Sequence, residues 1–289
     1  MRITFFVNPN AGKGHSSSVA KDAASQYSSM GHQITVIEEN SLSHAKNELE
    51  INLAVFPPDR VVVVGGDGNV HWSLQGLAHS PSALQVIPMG TGNDFARHHG
   101  FVKKLSLTNS SSKRPIDLGR ISYDNEQRYF GQILSTGFDS LVNKRANEMK
   151  YLRGRIKYTV ATILELRSFT PLRYSLTVDG KKRTVEAIMV AVGNGDSYGG
   201  GMKLIPKANS SDGKLDLFIL HSVSKWELIK VFPKIFSGRH VTHPAVEIRH
   251  VKRVIIDSDA LVYADGEYVT QGKVAVEIDP AALLLVDQP

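Results

Sequence analysis

The stretch Val61-Val62-Val63-Val64-Gly65-Gly66-Asp67-Gly68-Asn69 decides the fold. Four β-branched residues in a row suit a strand buried on both faces, as in parallel sheets covered by helices. The glycine turn then leads into a helix expected over Val70–Ala78. Glycines let backbone N–H groups approach phosphate oxygens, and a helix N-terminus adds partial positive charge. Asp67 would repel phosphates unless a divalent cation lay between them, so it is a candidate magnesium contact. The plainer alternative is a tight turn with a capping aspartate.

Around this stretch, short apolar runs alternate with helical patterns. Strands are expected over Ile3–Val7, Gln33–Glu38, Arg60–Val64 and Leu84–Ile87, with helices over Ser16–Met30 and His44–Ala54. Such alternation implies a parallel sheet with helices on both faces. After about Asp117 the pattern changes. Gln127–Ser135, Arg173–Val178, Thr184–Val192, Leu215–His221, Val246–Ile248, Arg253–Ile256 and Val274–Ile278 read as strands, several joined by turns such as Asp179-Gly180 and Asp265-Gly266. That is the pattern of an antiparallel sandwich. Two helical stretches interrupt it: Leu141–Phe169, long and basic, and Lys225–Phe236, with Ser224 as its N-cap. The expected architecture is therefore α/β, with a parallel-sheet nucleotide-binding domain over 1–118 and a β-sandwich over 119–279. The last segment, about 280–289, is expected to return to the first domain.

The bulk composition narrows the function. The chain has 289 residues, 42% of them apolar, no cysteine and a net charge of +6. Absence of cysteine excludes disulfides, thiolate zinc sites and a cysteine nucleophile. The N-terminus reads as a first strand rather than a signal peptide, and no run reaches the roughly 18 apolar residues of a membrane span. A cytoplasmic location is the expectation. The basic balance suits a nucleotide, a nucleic acid or an acidic membrane, and a solvated lysine coat accounts for it equally well. A nucleic-acid partner is disfavoured, because basic residues do not alternate with exposed aromatics in one recognisable module.

Two more polar loops follow parallel strands. Asn8-Pro9-Asn10-Ala11-Gly12-Lys13-Gly14 resembles a phosphate loop but lacks the spacing of a Walker A motif, and an ordinary strand-to-helix turn explains it as well. Ile87-Pro88-Met89-Gly90-Thr91-Gly92-Asn93-Asp94-Phe95-Ala96-Arg97 offers a hydroxyl, an amide and a second carboxylate. Asp94 is either a functional group or the N-cap of the following helix. Three such loops would open on the same edge of one sheet.

Together the loops resemble the diacylglycerol kinase catalytic domain family, which includes soluble bacterial diacylglycerol kinases, YegS-like lipid kinases, and sphingosine and ceramide kinases. The motifs NPNAGKG (Asn8–Gly14), GGDGNVH (Gly65–His71) and PMGTGNDFAR (Pro88–Arg97) stand in the family order. The likeness continues through Pro115–Gly119, Ser135–Asp139, Gly193-Asn194, Tyr198–Met202, Pro206–Ala208, Asp212–Asp216 and Asp265–Glu267. It implies a first domain of phosphofructokinase and NAD-kinase type that binds ATP through Asn8, Pro9, Asn10, Ala11, Gly12 and Lys13. Gly65, Gly66, Asp67, Gly68, Asn69 and Thr91 would surround the phosphates. The likeness further implies that Asp67, Asp94 and Asp117 organise catalytic magnesium. Asp265, favoured slightly over Glu267, would be the general base; read from the residues alone, Asp265-Gly266 is a hairpin turn. Asp212, with backbone carbonyls near Asn209 and Lys214, would hold a structural magnesium.

Family members commonly read GGDGT-hydrophobic-NE. Here Asn69, His71 and Trp72 stand at the Thr, Asn and Glu positions. The implied reaction is transfer of the ATP γ-phosphate to a lipid hydroxyl, with diacylglycerol the leading acceptor. Its rivals are a NAD-kinase-like or phosphofructokinase-like enzyme of a small soluble substrate, and a catalytically idle binding module. The lipid would be met at an anionic membrane surface by peripheral association. Lys144, Arg145, Lys150, Arg153, Arg155 and Lys157 are candidate contacts there, although a solvated helix packed on the sandwich explains them equally. The Trp226–Phe232 stretch reads as core. An open sheet edge leaves homodimerisation available.

Overall fold

The computed structural model describes residues 1–101, 112–149, 160–162, 164–165 and 169–287. The chain divides into two compact units. One comprises Met1–Ile116 with Pro280–Pro289, the other Asp117–Asp279.

The first unit is a parallel sheet. Its strands are β1 (Arg2–Val7), β2 (Gln33–Glu38), β3 (Arg60–Gly65) and β4 (Ala83–Pro88), in the order β2-β1-β3-β4. The end of β15 (Val274–Val286) joins the far side of β4, with Leu284 and Leu285 opposite Ala83 and Leu84. Val61–Val64 are fully buried, as expected for β-branched residues covered on both faces. Helix α1 (Ser16–Ser29) turns Ala20, Ala23, Ala24 and Tyr27 onto Phe5, Val62 and Val64, the i, i+3, i+4, i+7 spacing of one helical face. Helices α2 (Leu42–Val55), α3 (Asp67–Leu77) and α4 (Asp94–His98) complete the unit. The chain leaves β1 toward β2 on one side and β3 toward β4 on the other. The boundary between β1 and β3 is thus a topological switch point, and the loops after both strands open there.

The second unit is antiparallel. It contains β6 (Glu126–Phe130), β7 (Ile133–Gly137), β8 (Leu172–Val178), β9 (Lys181–Gly193), β10 (Leu215–His221), β11 (Val246–Val251), β12 (Arg253–Asp257), β13 (Leu261–Ala264) and β14 (Glu267–Gln271). β5 (Lys113–Tyr123) and β15 each contribute to both units. The last seven residues of β9 are all buried, because the strand is covered on both faces. Val190 and Val192 enter one core with Leu134, Leu217 and Ile219, while Met189 and Ala191 enter another with Ile133, Phe218 and Leu220. Helices α5 (Phe138–Glu148) and α6 (Lys225–Val231) cover this second core.

Several elements differ from their sequence expectations. The strand expected over Gln127–Ser135 is two strands, broken at Gly131-Gln132. Both residues of the break donate backbone N–H groups to the Asp265 carboxylate instead of to a ladder. The helix expected to begin at Val70 begins at Asp67, since Gly68 is accommodated in its first turn. Strands β5, β13 and β14 carry too few residues of clear alternation to stand out locally. The stretch expected to be helical over Leu141–Phe169 breaks at Met149, which is extended; Lys150, Arg153, Arg155 and Lys157 lie outside the described residues. The stretch Lys225–Phe236 changes from α-helix to a 3-10 helix at Phe232–Ser237, where Pro233 cannot supply an i to i−4 hydrogen bond. Ser224 does cap α6, accepting from the Glu227 N–H at 3.2 Å.

Candidate functional site

In the first unit the three glycine loops are built against one another. Met89 N–H donates to Gly65 O at 2.8 Å, and Gly12 N–H donates to Met89 O at 2.8 Å. A Cβ on Gly90 would lie 2.5 Å from the Gly66 Cα, and one on Gly12 would lie 2.4 Å from the Met89 side chain. At Gly90 glycine is required because two backbones touch; at Gly12 it is favoured by the left-handed φ of 59°. Asn8 follows β1 and donates its amide to Asn69 Oδ1 at 3.0 Å. Its Oδ1 accepts from Asn10 N–H at 3.0 Å. Pro9 and Asn10 form the turn that leads into a short 3-10 helix at Ala11–Gly14. Gly12 and Lys13 are both left-handed there, with φ of 59° and 60°. Asn69 is buried on α3. With Asn8 it ties the first loop to the second, the position where family members commonly carry threonine.

Asp67 is the first residue of α3, whose N-cap position is taken by Gly66. The Asp67 Oδ1 accepts from Phe95 N–H at 3.1 Å, so it caps α4 from across the sheet edge. Asp94 is the first residue of α4, not its N-cap; that place belongs to Asn93, in the left-handed conformation with φ 53°. The buried Asp94 carboxylate pairs with Arg97 at 2.7 Å. Arg97 also donates to Gly92 O. Thr91 is exposed at the mouth of a cavity of about 340 Å3, lined by Pro88, Gly90, Gly92, Asn93, Ala96 and Phe101. Trp72 lies against α2. Its ring lies under Lys46 of α2, with Nζ 2.8 Å from the centroid, and His71 stands edge-on to it.

In the second unit, buried Asp117 is fixed by the 209–216 loop. Asp117 N–H donates to Ser210 O at 2.7 Å, and its Oδ2 accepts from Gly213 N–H at 2.8 Å. Asn194 donates to Asp117 O at 2.9 Å. In the loop, Asn209 Oδ1 accepts from Ser211 N–H and Asp212 Oδ1 from Lys214 N–H, each at 3.1 Å. Asp216 receives His250 Nδ1 at 2.9 Å. Burial holds the Asp216 carboxyl above its ordinary value; His250 opposes this, and the nearby Asp212 charge adds to it. Asn209, Asp212 and Asp216 offer oxygen donors, the kind that a magnesium ion takes. Among the described residues no three His, Asp or Glu side chains gather as a metal site.

Asp265 and Gly266 form the two-residue turn between β13 and β14, with φ of 52° and 86°, the left-handed pair of a type I′ hairpin. The Asp265 carboxylate accepts three backbone N–H groups: Gly131 at 2.9 Å, Gln132 at 2.9 Å and Ile133 at 3.2 Å. Asp179, in the equivalent Asp-Gly turn, accepts from Lys252 and Arg253 N–H in the same manner. Glu267, half-exposed at the start of β14, makes no such anchoring bonds among the described residues.

One group received no role from the sequence. Asp139 opens α5 and is almost fully buried. Its carboxylate accepts from Ser135 at 2.5 Å, Asn143 at 2.8 Å and Tyr198 at 2.6 Å. The cluster lies beside an apolar hollow lined by Phe138, Val142, Met189, Met202 and Phe218. The motif Ser135–Asp139 was visible, but its burial was not. Burial raises the Asp139 carboxyl above its ordinary value, and the three hydrogen bonds offset this only in part. A carboxyl raised in the folded state contributes stability that is complete below the unfolded value and lost as pH rises through the folded one. The stability of the protein relative to Asp139→Asn should therefore increase as pH falls from neutrality toward about 4. Thermal melts of both across that range check this; a difference independent of pH would contradict it.

The comparisons with known proteins agree with this architecture. Residues 2–121 match the diacylglycerol kinase catalytic domain, and residues 132–287 match the YegS C-terminal NAD kinase beta sandwich-like domain. The chain belongs to the diacylglycerol kinase family. It is 37% identical to a diacylglycerol kinase of Mycobacterium tuberculosis (strain CDC 1551 / Oshkosh), over 98% of this chain and 94% of that one. It is 30% identical to a diacylglycerol kinase of Bacillus subtilis (strain 168), over 73% and 71%. The fold superposes on the crystal structure of a diacylglycerol kinase from Bacillus anthracis str. Sterne with a TM-score of 0.72 and 19% identity, covering 100% of this chain and 97% of that one. No described helix is long and apolar enough to cross a membrane.

Proposed function

We propose that the protein transfers the γ-phosphate of ATP to the hydroxyl of a lipid, with diacylglycerol the leading acceptor and phosphatidic acid its product. The observation that carries this reading is the backbone contact of Gly66 with Gly90 at the carboxyl edge of the parallel sheet, beside Asp67. Loops that close without side chains between them leave N–H groups available to phosphate oxygens. Lys13 supplies a positive charge on the adjoining loop, and Asn8 with Asn69 holds that loop in place.

Phosphoryl transfer depends on positioning and charge neutralisation. Magnesium bound with ATP supplies the neutralisation, and Asp67, Asp94 and Asp117 are the carboxylates proposed to orient it. Asp212, with carbonyls near Asn209 and Lys214, would hold a structural ion. The acceptor hydroxyl must lose its proton as the new bond to phosphorus forms. Asp265 and Glu267 are the candidates. Three backbone N–H groups already engage Asp265, whereas Glu267 keeps its carboxylate available, which moves the preference to Glu267.

The test is ATP consumption with diacylglycerol, NAD and fructose 6-phosphate offered in parallel. Turnover with diacylglycerol is the expected result. Turnover on NAD or the sugar phosphate but on no lipid would replace this reading with a soluble-substrate kinase.

A further inference from the structure

We propose that helix α6 and the 3-10 turn after it dock the protein onto an anionic lipid surface. The proposal rests on the lipid-kinase reading for its purpose, but it stands on separate residues. The segment is apolar on two sides. Leu228 and Ile235 are buried in the core beneath β9 and β10, and Val231 is buried beside them. On the opposite side Trp226 is 76% exposed and Ile229 49% exposed. Helical spacing places Pro233 in line with them, and it too is exposed. Exposed Lys225, Lys230 and Lys234 flank this stripe.

A tryptophan and an isoleucine between lysines match the two layers of a membrane interface. The indole rests at the headgroup level, the aliphatic chain enters the acyl boundary, and the ammonium groups meet anionic headgroups. The three lysines outnumber the segment's own carboxylate, Glu227, which is held by His243 Nε2 at 3.0 Å. The same lysines argue against a second copy of the chain, since a symmetric contact would set like charges against each other. A cavity of about 260 Å3 opens at the amino end of the helix, lined by Phe169, Pro171, Ile188, Val223 and Leu228. An apolar opening beside the stripe suits a surface that presents acyl chains.

The experiment compares sedimentation with vesicles of phosphatidylcholine alone and with about one third phosphatidylglycerol. Wild type is measured beside Trp226→Ala/Ile229→Ala and Lys225→Gln/Lys230→Gln/Lys234→Gln. All the substituted side chains are exposed, and thermal melts confirm that the variants fold. Wild type should bind the anionic vesicles, and each variant should lose at least about tenfold in partitioning. Turnover on vesicle-borne diacylglycerol should fall in parallel, while turnover on a dispersed short-chain diacylglycerol stays at the wild-type level. Undiminished partitioning of both variants, or no binding of wild type to anionic vesicles, would overturn the docking surface without touching the kinase reading. Absence of turnover on either lipid would remove the kinase reading, and the partitioning data would still decide the surface.

Discussion

Asp67→Asn is expected to lower kcat on the lipid acceptor by roughly 100-fold to 1000-fold while leaving the fold intact. The amide keeps an oxygen where Oδ1 accepts the Phe95 N–H, so the start of α4 stays capped. What the variant loses is the negative charge that would orient a cation against the phosphates. Asp67→Ala would remove the cap as well, at a cost of about 1 kcal/mol, and would mix the two effects. Measuring kcat and Tm on the asparagine variant separates them. Turnover near the wild-type level in a properly folded Asp67→Asn protein would end the metal assignment.

The second large effect is expected at Asp265 and is structural before it is chemical. Asp265→Asn should destabilise the second unit by about 2–4 kcal/mol. Three N–H donors converge on the carboxylate, and an amide oxygen in the Oδ1 place keeps Gln132 and Ile133 while its NH2 is set against the Gly131 N–H and the negative charge is lost. The backbone is not the cause, since asparagine tolerates the φ of 52° found there. Glu267→Gln touches none of these bonds and should leave the denaturation midpoint unchanged. If Glu267 accepts the hydroxyl proton, Glu267→Gln should lower kcat by about 100-fold or more. Urea unfolding of both variants, with activity measured under conditions where each is folded, distinguishes anchor from base. An Asp265→Asn protein as stable as wild type would contradict the anchoring role.

Much of the first unit was legible because its information is local. Four consecutive valines followed by two glycines specify a buried parallel strand and a phosphate-type turn without reference to any other segment. The hairpin at Asp265-Gly266 was legible for the same reason, as a turn. The second unit was less so. β5 and the β13–β14 pair escaped notice, and Gln127–Ser135 was read as one strand. The break at Gly131-Gln132 exists because those N–H groups go to a carboxylate more than 130 residues away. The reading of Trp226–Phe232 as core was half right. Leu228 is buried and Trp226 is not, and the choice is made by Phe218 and Leu220 on a strand the segment itself does not encode.

By itself the sequence determined the alternation of strands and helices, the three glycine loops and the family to which they belong. Those properties follow from backbone sterics and side-chain period, which act over a few residues. Only the tertiary structure decided that Asp67 accepts from a helix N–H 28 positions on, that Asp265 anchors three amides, and that Asp139 is buried among two hydroxyls and a side-chain amide. A carboxylate's role is set by which donors surround it, and those donors are brought together only when distant segments close on one another.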